Sequence, residues 1–113
     1  MNDELLRNKI VAFFSGIDTY YGVKLEVTES IYTAFPDVTT TDGTWNLSEF
    51  VLANAAYRKD GNRFMIEGSG RYIEFAALQI IGFTQSGRHK YEIVEQYGTS
   101  VFRVTKLRFF DRY

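Results

Sequence analysis

The chain carries one histidine, His89, and no cysteine, so its chemical inventory is small and can be weighed residue by residue. Without cysteine there is no disulfide framework, no thiolate nucleophile and no cysteine-type zinc site. His89 follows Ser86-Gly87 and is flanked by Arg88 and Lys90. A general base needs an orienting partner within hydrogen-bond reach. The nearest carboxylates in sequence, Glu92 and Glu95, could approach His89 only if the hairpin bends. The pattern therefore predicts a solvated turn histidine.

Glu67 and Glu74 flank the Gly68-Ser69-Gly70 turn and could meet across a hairpin, as an acid/base pair or as ligands for a hard cation. Alternation with Arg63 and Arg71 instead predicts that they are solvent-side residues. The Gly-Ser-Gly turn is not a phosphate cradle, because that requires a longer glycine frame opening a helix and here a strand follows. A serine triad would have to use His89 without a strained nucleophile elbow. No catalytic residue, metal site or cofactor is predicted.

Surfaces offer more. The C-terminal segment interleaves Arg103, Lys106 and Arg108 with Phe102, Leu107, Phe109 and Phe110, while Arg88 and Lys90 lie across the hairpin. Cations among rings can hold a nucleic-acid backbone while the rings stack on bases. A pI near 5.8 lacks the global basic footprint of such a protein, so nucleic acid ranks third. The acidic half has its own candidate surface: Asp18, Glu26, Glu29 and Asp42, with Tyr20 and Tyr21 among them. Tyrosine beside carboxylate suits a protein interface with a basic partner. The charge is split accordingly. Residues 1–56 hold three basic against eight acidic residues, giving −5, and residues 57–113 hold ten against six, giving +4.

Aromatic residues make up 17% of the chain, more than a core alone requires. Trp45, Tyr57, Phe75 and Tyr91 are the rings expected to line an internal pocket.

The elements that must position these residues are legible in the periodicity. Leu6, Ile10, Phe13, Phe14 and Ile17 form one stripe at helical spacing, and Gly16 is a natural stop. Val23, Leu25 and Val27 alternate with Lys24, Glu26 and Thr28 in a half-exposed strand that Pro36 ends. Residues 37–44 read as a polar loop with a turn at Asp42-Gly43. Residues 45–58 fit either a strand or a helix, and the strand is preferred. Arg71 to Phe83 reads as one long strand with two apolar faces. His89 to Tyr97 and Ser100 to Phe110 form a hairpin around Gly98, with a bulge expected near Thr105-Lys106.

The expectation is a single α+β domain over residues 1–113. One N-terminal helix packs on a strongly curved antiparallel sheet of five or six strands, a half-open cone. The acidic N-terminus and the absence of a long apolar run predict a soluble, cytoplasmic protein with no membrane contact. The function expected first is non-catalytic binding through a protein interface, inhibitor- or immunity-like, or through self-association as a homodimer. A small-molecule pocket in the cone is the alternative.

Overall fold

The computed structural model describes residues 4–35, 38–58 and 60–110, with the side chains of residues 34–45 outside the description. Helix α1 (Glu4–Gly16) is followed by a 3-10 turn over Ile17–Tyr20. Eight strands follow: β1 (Lys24–Phe35), β2 (Val38–Val51), β3 (Asn54–Arg58), β4 (Arg63–Gly68), β5 (Arg71–Ala76), β6 (Ile80–Gly87), β7 (Lys90–Tyr97) and β8 (Val101–Phe109). The α+β class with an N-terminal helix stands. The sheet is divided, however: β2-β1-β8-β7-β6 form a five-stranded antiparallel sheet and β3-β4-β5 a three-stranded one.

The division explains three differences from the sequence reading. First, β2 takes in residues read as a loop, because β1 continues to Phe35 and needs a partner along its length. Asp42 and Gly43 pair with Tyr32 and Ile31 in the ladder and form no turn. Second, residues 45–58 are strand, but broken at Leu52-Ala53, where the chain leaves the first sheet for the second. The buried Leu52 donates its N–H to Val23 O (3.0 Å) and accepts from Gly22 N (2.8 Å), while Ala53 N–H donates to Glu67 O (2.9 Å). Third, the expected long strand at 71–83 is two strands joined by a 3-10 turn at Ala77–Gln79. Both of its faces looked apolar because its halves serve different sheets.

The bulge expected near Thr105-Lys106 is absent. The β8 register runs unbroken against both β1 and β7 through these positions. Val101, Arg103, Thr105, Leu107 and Phe109 occupy one face, and the two polar members disguised its phase.

Glycine and left-handed residues shape the hairpins. Gly68 pairs with Arg71, leaving Ser69 (φ 51°) and Gly70 (φ 78°) as a two-residue loop with both residues in the left-handed region, as a type I′ turn requires. Gly87 pairs with Lys90 around Arg88-His89, and His89 sits at φ 64°.

Both sheets feed one core. Leu25, Val27, Ile93 and Leu107 from the larger sheet are buried in the same cluster as Phe64, Ile66 and Phe75 from the smaller. Helix α1 joins it through fully buried Ile10 and through adjacent rings that diverge, since neighbours on a helix point about 100° apart. Phe13 packs on Phe83 and Tyr91, and Phe14 stacks on Phe64 (4.6 Å between centroids). Among the described residues, no helix is long and apolar enough to cross a membrane.

Candidate ligand-binding groove

The seam between α1 and the edge strand β6 is not fully closed. It leaves a groove of about 630 Å³ lined by Lys9, Ala12, Phe13, Phe83, Thr84, Gln85 and Tyr91. Its floor is aromatic. Phe13 lies 4.5 Å from Tyr91 and 5.2 Å from Phe83, and Phe83 stacks on Tyr91 at 5.9 Å. Lys9, Thr84 and Gln85 are exposed polar side chains along it. The volume falls in the range of about 300–1,000 Å³ typical of small-molecule pockets, and an apolar floor with a few polar groups is their usual lining.

A polar cluster adjoins this floor. Tyr91 Oη lies 3.3 Å from Tyr20 Oη, which lies 2.8 Å from His89 Nδ1. Two elements set this geometry. The 3-10 turn after α1 lays the Tyr20 ring flat on Phe109, with centroids 3.9 Å apart and planes within 12°. The left-handed His89 is held at the β6–β7 turn by the Phe109 N–H, which donates to its carbonyl at 2.9 Å. Burial pushes the Tyr20 hydroxyl well above the ordinary tyrosine pKa, against the pull of Arg88. Tyr20 therefore keeps its proton and has one to donate within the cluster. His89 is a half-buried, hydrogen-bonded residue and not the solvated turn histidine that the sequence predicts.

The other candidate residues are distributed as follows. Of the pocket rings, Tyr91 lines the groove, Phe75 is fully buried core, and Tyr57 lines a separate recess of about 60 Å³ with Asn62 and Phe64. The Trp45 and Asp42 side chains lie outside the described residues. The acidic set does not converge. Asp18 is exposed, Glu26 faces Arg108 at 3.8 Å, and the Tyr21 hydroxyl accepts from Ala55 N–H at 2.9 Å. Glu29 is buried, so it is not available as a partner surface.

Glu29 instead belongs to an ionic network linking the two sheets. Arg103 donates through Nη2 to Glu29 Oε2 (2.8 Å), and through Nη1 to Glu95 Oε1 (3.0 Å) and to the Glu74 carbonyl (2.8 Å). Glu95 Oε2 accepts from Ala76 N–H (3.0 Å) and from the Tyr97 hydroxyl (2.6 Å), and Asn46 donates to Glu29 Oε1 (2.8 Å). Burial works against the charge on Arg103, but the Glu95 and Glu29 carboxylates outweigh it and raise its pKa above the ordinary arginine value. Burial, and then the bond to Glu95, pushes the Tyr97 hydroxyl up to about 12. Arg103 thus faces inward and cannot serve a nucleic-acid surface, whereas Arg88, Lys90, Lys106 and Arg108 are exposed. A polar cleft of about 360 Å³ beside the network is lined by Glu29, Asn46, Ser48 and the β4–β5 turn. Both Glu29 oxygens there are already engaged within the fold.

Glu67 and Glu74 are each engaged with other side chains. Glu67 accepts from Asn54 (3.1 Å), and Glu74 accepts from the Tyr72 hydroxyl and lies 3.6 Å from Arg63. Among the described residues, no group of three His, Asp or Glu side chains is placed to hold a metal ion.

Sequence reasoning missed Tyr20 and His89 as partners because 69 residues separate them. The only local hint was a histidine following Ser-Gly at a turn, a setting where left-handed backbone is tolerated. Comparison with protein-family models, with curated proteins and with solved structures gave no match.

Proposed function

We propose that this domain binds a small, planar, largely apolar molecule in the groove between α1 and β6. The observation that supports this most strongly is the contact of three rings, Phe13, Phe83 and Tyr91, at the floor of a 630 Å³ concavity with hydrogen-bonding hydroxyls beside it. Ring stacking and apolar burial supply affinity there, and the few polar groups fix orientation. Lys9 at the groove favours a ligand with a polar or anionic edge. No reaction is assigned to the site.

Calorimetric titration with 2-naphthol tests the reading. Ala12 is exposed and lines the groove, so Ala12→Trp should fill the space and abolish binding while leaving the melting temperature within a degree or two. Equal affinity of Ala12→Trp and wild type would place any binding elsewhere.

A second reading, association with a protein partner, is supported by the outer face of the larger sheet. Val94 and Val104 are cross-strand partners that stay half-exposed, and Phe102 pairs with Tyr32 in the next row but one. Half-exposed apolar neighbours of this kind suit an interface core. Val104→Lys should then weaken complex formation in sedimentation velocity, and an unchanged sedimentation profile would remove that support.

A further inference from the structure

Three polar atoms form a hydrogen-bonded chain from Tyr91, which lines the groove, through Tyr20 to His89, and counting hydrogens restricts what Tyr91 can offer a ligand. Each phenol has one proton and can accept through its oxygen, while a neutral imidazole donates at one nitrogen and accepts at the other. The intrinsically preferred tautomer of neutral imidazole carries its proton on Nε2 and leaves Nδ1 bare. At 2.8 Å, Nδ1 is well placed to take the Tyr20 proton. Tyr20 then has none left for Tyr91, so the 3.3 Å contact is made by the Tyr91 proton. Tyr91, whose ring forms part of the groove floor, keeps only acceptor capacity.

We propose that the groove selects planar ligands bearing a hydrogen-bond donor, such as a phenol or an aromatic amine, against the Tyr91 oxygen, and that His89 sets this preference through Tyr20. The proposal rests on the groove being a ligand site. Within it, His89 is a positioning residue: it touches Tyr20 and fixes the direction of the hydrogen-bond chain. The opposite order, with Nδ1 donating to Tyr20 and Tyr20 to Tyr91, would free the Tyr91 proton and favour ligands that only accept.

Two probes of nearly the same shape separate these cases. 2-Naphthol carries a donor, and 2-methoxynaphthalene has the oxygen without the proton. Dissociation constants for both are measured on wild type, Tyr20→Phe and His89→Gly. Tyr20→Phe retains the ring stacked on Phe109, and glycine accommodates the left-handed turn at position 89. Wild type should bind 2-naphthol about five- to tenfold tighter, the effect of one hydrogen bond. In Tyr20→Phe the Tyr91 proton is released and the ratio should fall toward one, and in His89→Gly, where either phenol can donate to the other, it should fall part of the way. A wild-type ratio near one, a preference for 2-methoxynaphthalene, or a ratio unchanged in both variants would overturn the inference and leave the groove reading intact. Binding of neither probe would overturn the groove reading itself.

Discussion

At the scale of single residues, Arg103 shows how an unremarkable cation in a basic-aromatic run becomes a structural centre. It holds Glu29 and Glu95 from the strands on either side of it and caps the Glu74 carbonyl of the second sheet. Removing the guanidinium would strand two buried carboxylates, and breaking a buried pair in this way typically costs about 3–5 kcal/mol. Chemical denaturation of Arg103→Ala should show a loss of that order. Arg108→Ala, on the same strand but exposed and facing Glu26 at 3.8 Å, should change stability by about 0.5 kcal/mol or less. Equal costs for the two variants would contradict the network. Thr105 gives the converse case. Its hydroxyl is fully buried beside this network and has no hydrogen-bond partner among the described residues. Burying an unsatisfied hydroxyl costs about 1–3 kcal/mol, so Thr105→Val should raise stability by about 1 kcal/mol in the same assay. A clear loss instead would mean that the hydroxyl is satisfied in solution.

At the scale of elements, the fold depends on two places where the chain passes from one sheet to the other, and Gly68 packs against the first of them. A Cβ there would lie 1.9 Å from the Val51 carbonyl oxygen, with the Ala53 nitrogen at 3.1 Å. The obstacle is backbone, which cannot swing aside as a side chain can. Gly68→Ala should therefore destabilise the domain by several kcal/mol or prevent folding, while Gly16→Ala, with open space around its Cβ, should be neutral or stabilising by about 0.5–1 kcal/mol. Thermal melts of the two variants decide this, and a tolerated Gly68→Ala would mean that β2 and β4 can separate at the crossing. The helix stripe and the turns at Gly68-Ser69-Gly70 and Gly98 were legible in the sequence because they follow from periodicity and from glycine, both local signals, whereas Asp42-Gly43 carries the same local signal and lies inside a ladder. The crossings were not, since a strand that switches sheets has two apolar faces in succession and reads like one buried strand. The inward Arg103 was hidden for a related reason. Its partners come from β1 and β7, so its burial depends on a strand order that no local pattern records. Tyr91 was the one groove residue anticipated by its type, whereas Phe13 and Phe83 were read only as packing residues on their own elements.

At the scale of the whole molecule, polar and apolar work are separated. The ionic network joins the sheets through Glu74 and Ala76 of β5, and the aromatic groove lies where α1 meets the free edge of the larger sheet. Ligand binding at the seam would therefore load the helix more than the network. The acidic and basic halves of the sequence do not become opposed faces. Lys24 pairs with Glu49 at 2.8 Å within one half, while Glu26–Arg108 and Glu29–Arg103 join the two. The measurement that tests the central claim most directly is a titration of 2-naphthol into the isotope-labelled protein, followed by amide chemical shifts. The account predicts saturable shifts concentrated at Ala12 and Phe13 of α1, Phe83 to Gln85 of β6 and Tyr91 of β7, with the β4–β5 turn unmoved. Shifts that fail to saturate, or that map to the outer sheet face or the polar cleft, would contradict it.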